Sequence, residues 1–386
     1  MVPTATLPCV KGKRGEVVGY VKVRVWRDEE GERVVEDHHA SRWVKRGWVL
    51  QERVLSRRMV YFGRWQVYGA CAEGMWNEDG TPDLLDNEMV MNGQLVQGFI
   101  RDMKLATPLQ RFAFGLGSVV ERRLMPQYLW QLLISDYSRC ELTVPGDKLI
   151  AVEGLATAFA QLTGMTYFVG IWLELAWAGL AWKTDRLNSK MVPGRAPSWS
   201  WASFDGQFSF QLPEEKTVHP LRASIVTSTN GARVLGLTDV PVVRISSVQT
   251  VPDDCHFTQE DLQQGAYPGL DSGFLPEEGS ETCTQCKPGQ LVHLYARDLL
   301  GHMCGLLQLD QEGHPPSDFE TLVLFEQERR GVLKRTVLLV QPDGDSPGCF
   351  RRIGTGVVYS LPAAFGNPAV GPGQDEITPG QSFQLV

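Results

Sequence analysis

Two cysteines, Cys283 and Cys286, stand in a Cys-x-x-Cys pattern that could do chemistry. A zinc site needs four ligands, usually Cys and His, in tetrahedral geometry. Cys255-His256 upstream, or His302 and Cys304 downstream, would have to complete it. Those spacings match no standard finger, and an unligated pair in an acidic loop is the simpler reading. Cys283 and Cys286 are therefore only weak metal candidates, and no metal or cofactor is assigned. A thioredoxin-like role lacks its βαβ context.

Hydrolase signatures are missing. There is no Gly-x-Ser-x-Gly elbow, and Gly115-Leu116-Gly117-Ser118 fits neither a dinucleotide fingerprint nor a phosphate loop. None of the 7 histidines lies between His39 and His219. A Ser-His-Asp or Cys-His site would have to draw on distant parts of the chain. No catalytic residue is assigned.

Three polar and aromatic segments remain. In Arg46-Gly47-Trp48-Val49-Leu50-Gln51-Glu52-Arg53, helical spacing puts Trp48, Gln51, Glu52 and Leu55 on one face. If that face points inward, Glu52 is buried and needs Arg53, Arg46 or a distant arginine as partner. It then forms either a structural clasp or a pocket floor with Glu52 as acceptor or base. If the face points outward, Glu52 is merely solvated. Asp136-Tyr137-Ser138-Arg139 and Pro145-Gly146-Asp147-Lys148 flank a strand-like Leu142-Thr143-Val144, with Asp147 suited to cap the next helix. Trp199 and Trp201, in Pro197-Ser198-Trp199-Ser200-Trp201-Ala202-Ser203, would share one face of a strand, as core or as a pocket wall.

The elements that must position these residues divide the chain unevenly. All 11 tryptophans lie at or before Trp201. Residues 1–201 carry 25 Lys+Arg against 22 Asp+Glu, and residues 202–386 carry 12 against 23, so balances of +3 and −11 give the net −8. That net charge argues against nonspecific nucleic-acid binding. A hydrophobic content of 43% is that of a globular chain. The start has no apolar signal region, and no Asn-x-Ser/Thr sequon occurs, so the 8 cysteines read as reduced thiols in a cytoplasmic protein. Gly154 to Leu173 is uncharged over the length of a membrane span. Gln161, Thr163, Gly164 and Thr166 interrupt its centre, so a turn between two buried helices is expected instead of a span.

Val17–Trp26 reads as a strand, Trp43–Leu55 as a helix, and Met59–Cys71 as a hairpin turning near Gly63. Helices follow: one starting at Pro126 and running to about Ser138, one carrying the stripe Leu149, Val152, Leu155, Ala156, Phe159 and Leu162, and a buried one over Phe168–Trp182. From Ser198 onward, short apolar stretches alternate with Gly, Pro, Asp and Asn, the pattern of a sandwich or barrel. The expected fold is α+β: a Trp-rich, mainly helical region with a short N-terminal sheet over 1–197, then an antiparallel β-rich region over 198–361 with a long loop at 251–289. A Pro/Gly-rich tail fills 362–386.

In their order, these segments resemble the fungal heterokaryon-incompatibility (HET) family, in the region just after its signature block. Arg46-Gly47-Trp48-Val49-Leu50-Gln51-Glu52-Arg53-Val54-Leu55-Ser56 is similar to that family's Arg-Gly/Ala-Trp-x-Leu-Gln-Glu-Arg-x-Leu-Ser run. Tyr61-Phe62, Gln66 to Cys71, Tyr137-Ser138, Leu142-Thr143, Asp147-Lys148-Leu149, Gly170-Ile171-Trp172 and Pro197 to Ser203 follow, covering about residues 15–210. Gly69 and Ala70 stand where the family usually has Trp-Glu. The family's N-terminal block looks related to Toll/interleukin-receptor-like folds, where NAD cleavage would be suspected; this chain begins after it. The resemblance implies non-self recognition or cell-death signalling through a protein partner. Two other readings stand beside it: an enzyme of fungal secondary metabolism whose Trp-lined pocket holds a small molecule near Glu52 and Arg53, and a nonfunctional remnant.

Overall fold

In the computed structural model, the described residues are 4–11, 16–24, 41–63, 67–71, 74–77, 119–184, 189–211, 217–228, 230–250, 293–297, 303–311, 318–329, 332–360 and 377–386. They form an α+β protein with antiparallel sheets. The loop expected at 251–289, with Cys283 and Cys286, lies outside the described residues.

Strands β1 (Thr4–Lys11) and β2 (Glu16–Arg24) make a hairpin. Helix α1 (Gly47–Leu55) leads into β3 (Arg58–Phe62), β4 (Val67–Cys71) and β5 (Gly74–Asn77), a three-stranded meander in which only β5 was unforeseen. α1 starts at Gly47 and not at Trp43, because the backbone just before it is otherwise engaged. Gly47 N–H donates to Glu141 O at 2.9 Å, and Glu141 N–H donates to Lys45 O at 2.6 Å. Helix α2 (Val119–Ser138) begins upstream of the expected start, with Pro126 inside it.

After a 3₁₀ turn at Pro145–Lys148, α3 (Ile150–Thr163) buries Val152, Leu155, Ala156 and Phe159 as its periodicity requires. It ends at Gly164, whose φ of 73° is the left-handed cap that glycine adopts without a Cβ clash.

The helix expected over Phe168–Trp182 does not form. β6 (Tyr167–Phe168) and β7 (Ile171–Trp172) pair as a tight hairpin, and α4 (Ala176–Gly179) is a single turn before β8 (Trp182–Thr184). Burial was read correctly, but an unbroken apolar run carries no period to separate a helix from short buried strands. β9 (Lys190–Met191) pairs with β10 (Phe204–Asp205), and β8 with β11 (Phe208–Phe210). These ladders cross the boundary expected between residues 197 and 198.

The main sheet contains β12 (Thr217–Val218), β13 (Arg222–Thr227), β14 (Arg233–Val243), β15 (Ser247–Thr250), β16 (His293–Arg297), β17 (Met303–Leu309), β18 (Glu320–Arg329), β19 (Val332–Pro342), β20 (Phe350–Ser360) and β21 (Ile377–Leu385). β14 joins two apolar stretches that the sequence separates, passing through Asp239 at φ 58°. β21 corrects the reading of 362–386 as tail. Its Pro379 and Gly380 fall where the β14–β21 register shifts, so turn residues here mark an irregular ladder.

Pairings run β14–β18–β19–β20–β21 and back to β14, with β20 and β21 parallel at Phe350↔Leu385. One core gathers α1, α2 and α3 around Trp130, Trp172, Trp182 and Trp201. A second joins Trp177 and Trp199 to β14, β18, β19 and β21, and a third lies within the main sheet.

Candidate functional site

Helix α1 presents the opposite face to the one the pocket reading needs. Val49, Leu50, Arg53 and Val54 are buried, while Trp48, Glu52 and Leu55 are exposed and Gln51 is half-buried. Two close approaches fix this rotation. A Cβ at Gly47 would lie 2.7 Å from Leu142 Cδ2, and one at Gly154 would lie 2.6 Å from Gln51 Oε1. Gln51 Oε1 accepts from Gly154 N–H at 3.0 Å, tying α1 to α3. Glu52 is thus neither a clasp nor a pocket floor, and Arg46 is exposed as well.

The buried charge on α1 is Arg53. It hydrogen-bonds the Tyr61 hydroxyl, whose pKa burial raises against the pull of that guanidinium. Burial also pushes the Cys140 thiol up to about 11, with Arg53 opposing and Asp136 and Glu141 adding to the rise. Buried Arg53 and buried Asp136 therefore surround the same thiol.

Asp147 does not cap α3; no side chain makes that cap. Its Oδ2 accepts instead from Trp48 Nε1 at 3.3 Å. Lys148 turns inward, and its carbonyl accepts from the Tyr137 hydroxyl at 2.8 Å. Lys148 Nζ donates to the Phe204 carbonyl and lies 3.3 Å from Asp205 Oδ1. Arg195 Nη1 reaches the same oxygen at 2.7 Å, and Arg195 Nε donates to Ala202 O at 2.6 Å. Both cationic side chains are 5% exposed, whereas that of Asp205 is 50% exposed. Burial, and next the charge of Arg195, lower the Lys148 pKa to about 8, with Asp205 acting against the fall.

Trp199 and Trp201 do not share a strand face. Residues 201–203 form a 3₁₀ turn, which sends Trp201 into the helical core and Trp199 into the core shared with the main sheet. Both are fully buried and wall no open pocket. Gly170 O accepts from Trp201 Nε1 at 2.8 Å and from Trp130 Nε1 at 3.3 Å.

A clasp between the two parts of the chain centres on Arg352. Its Nε donates to Asp310 Oδ2 at 2.7 Å, Nη1 to Leu180 O at 2.7 Å, and Nη2 to Trp182 O at 2.6 Å. The guanidinium also lies 3.4 Å from the Trp182 ring centroid.

Reading the sequence singled out none of Arg195, Asp205, Asp310 and Arg352. The available signal was local: Asp205 directly follows the apolar Trp199–Phe204 run, and Arg195 sits between Pro193-Gly194 and Ala196-Pro197. Among the described residues, no three His, Cys, Asp or Glu side chains are grouped to hold a metal, and no helix is long and apolar enough to cross a membrane. The chain matches no family model, no curated protein and no solved structure.

Proposed function

We propose that the chain acts by protein association, as a HET-like component of fungal non-self recognition or cell-death signalling in the cytoplasm. The observation that carries this reading is the outward face of α1 with the start of α3. Trp48 is 38% exposed, Leu55 39%, Val144 53% and Ile150 52%. Large apolar side chains grouped at the surface mark interaction sites more often than they serve the monomer. Lys45, Arg46, Arg57 and Arg58 are exposed around the α1 end of this face. A partner with an apolar centre and acidic margin would complement it, with the charges steering encounter. The order of the HET-like segments supplies the biological context.

The position of Glu52 at the surface, and of Trp199 and Trp201 in the cores, weighs against the alternative small-molecule pocket. The ring of β14, β18, β19, β20 and β21 supports reading the β-rich part as barrel-like. The test is expression of the wild type and a Trp48→Ser/Ile150→Glu double variant in a fungal host, scored for growth arrest. Growth arrest by the wild type alone, at equal protein levels, is expected. Equal effects from both, or an effect from neither, would count against the reading.

A further inference from the structure

We infer that Lys148, Arg195 and Asp205 form a binding site for the carboxylate of a small organic acid, independent of the association face on α1. The argument begins with charge. Two cationic side chains, each 5% exposed, share a single carboxylate oxygen, Asp205 Oδ1. With both cations protonated, the cluster carries one uncompensated positive charge where water has little access. Charges so placed need partners.

The second observation is a donor without an acceptor. Arg195 Nε serves Ala202 O and Nη1 serves Asp205, but Arg195 Nη2 is buried and has no partner among the described residues. Leaving such a group unpaired is costly, and more so for a charged one. The contrast within the protein is direct, because Arg352, whose side chain is also buried, uses all three of its nitrogens.

The ligand class follows from charge and shape. The guanidinium edge is planar and matches the two oxygens of a carboxylate. One negative charge balances the cluster, whereas a phosphate at neutral pH would overshoot it beside Asp205. Lys148 Nζ, 5.9 Å from the Phe208 ring centroid, places an aromatic surface next to the site. Asp205 is the member of the cluster that reaches solvent. Entry is therefore past Asp205, whose own carboxylate holds the position a ligand would share or take over.

The experiment uses the full chain in low-chloride buffer at neutral pH. Thermal unfolding is followed against increasing acetate, with acetamide as the uncharged isostere and inorganic phosphate as the dianion. Ligand that binds only the folded state raises its stability in a saturating way. Acetate is expected to raise the midpoint by several degrees and saturate, with acetamide inert and phosphate weaker. Asp205→Asn removes the resident competitor from a half-exposed position and should tighten acetate binding several-fold. Arg195→Gln should abolish the response. If that variant fails to fold, Asp205→Asn decides alone. A response that does not saturate, that acetamide reproduces, or that Asp205→Asn leaves unchanged or weakens would overturn the site. Phosphate outperforming acetate would overturn the carboxylate assignment.

Discussion

Arg352 and Arg195 are the same residue in two different settings. Each has a buried side chain, one aspartate and backbone carbonyl acceptors. Arg352 faces an aspartate that is itself 4% exposed, and every guanidinium nitrogen is bonded. Arg195 must share a half-exposed aspartate with Lys148 and keeps one nitrogen without a partner among the described residues. The first arrangement is closed in charge and in hydrogen bonds, so it has nothing left to offer a ligand. The second is open in both. Burial alone does not separate scaffold from site; completeness of satisfaction does.

The largest way to break this comparison is at the closed end. Arg352→Met leaves Asp310 buried without its cation and the Leu180 and Trp182 carbonyls without their donors, so a loss of about 3–5 kcal/mol is expected. Urea denaturation measures it. The double variant Arg352→Met/Asp310→Leu should regain a large part of that loss, since it removes the orphaned charge along with its partner. A single variant as stable as the wild type would show that the clasp does not hold the two parts together.

At the open end, pH is the lever. Burial lowers the Lys148 pKa from 10.5 to about 8. Below about 8 the ammonium is charged in both states, and the fold bears the cost of burying it. Between 8 and 10.5 the folded protein releases that proton while the unfolded chain retains it. The unfolded state then binds more protons, so stability rises with pH across this window. Cys140, raised from 9.0 to about 11, acts in the opposite direction over its own window. The clean observable is therefore the difference between wild type and Lys148→Met. It should move in favour of the wild type by up to about 3 kcal/mol between pH 8 and pH 10.5. A flat difference would mean that Lys148 is solvated and the cluster is not open in the sense argued.

A smaller effect tests the tryptophan hub at Gly170, whose carbonyl accepts from Trp201 and Trp130. Gly170 has φ 101°, and a Cβ there would sit 2.7 Å from Trp201 Nε1. Gly170→Ala combines backbone strain with overpacking, and about 2 kcal/mol of lost stability is expected in the same denaturation assay. A neutral result would show that β6, β7 and the Trp201 turn can shift apart without cost.

How much of this the sequence disclosed depended on range. The strands β13 and β17–β20 were legible because Gly, Pro, Asp or Asn bounds each apolar stretch, whereas β14 reads as two stretches split at Asp239. β21 was not legible, since its own Pro379 and Gly380 look like the end of structure. The stripe on α3 was legible from its period; the run from Phe168 to Trp182 had no period to read. On α1 the shared face was legible, but whether it points inward or outward was not. Only the contacts of Gly47 with Leu142 and of Gly154 with Gln51 settle its rotation, and both cross long stretches of chain. The Arg352 clasp was invisible for the same reason, since its aspartate lies 42 residues away. Arg195 and Asp205 are only 10 residues apart, but Lys148, which completes their cluster, is 57 residues from Asp205.

The smallest thermodynamic effect belongs to the outward face of α1, and it is the one that bears on function. Trp48 is more than a third exposed, and its side chain's polar contact among the described residues is the bond from Nε1 to Asp147 at 3.3 Å. Trp48→Ser should therefore change stability by about 0.5 kcal/mol or less, as surface substitutions usually do. Association should respond far more, because aromatic residues at the centre of an interface often account for about 2 kcal/mol or more of binding when truncated. Measuring both in one preparation, by denaturation and by cross-linking yield in a host lysate, separates the roles. A loss of stability as large as that of Gly170→Ala would place Trp48 with the core tryptophans. An unchanged cross-linking pattern at unchanged stability would remove α1 from the interface.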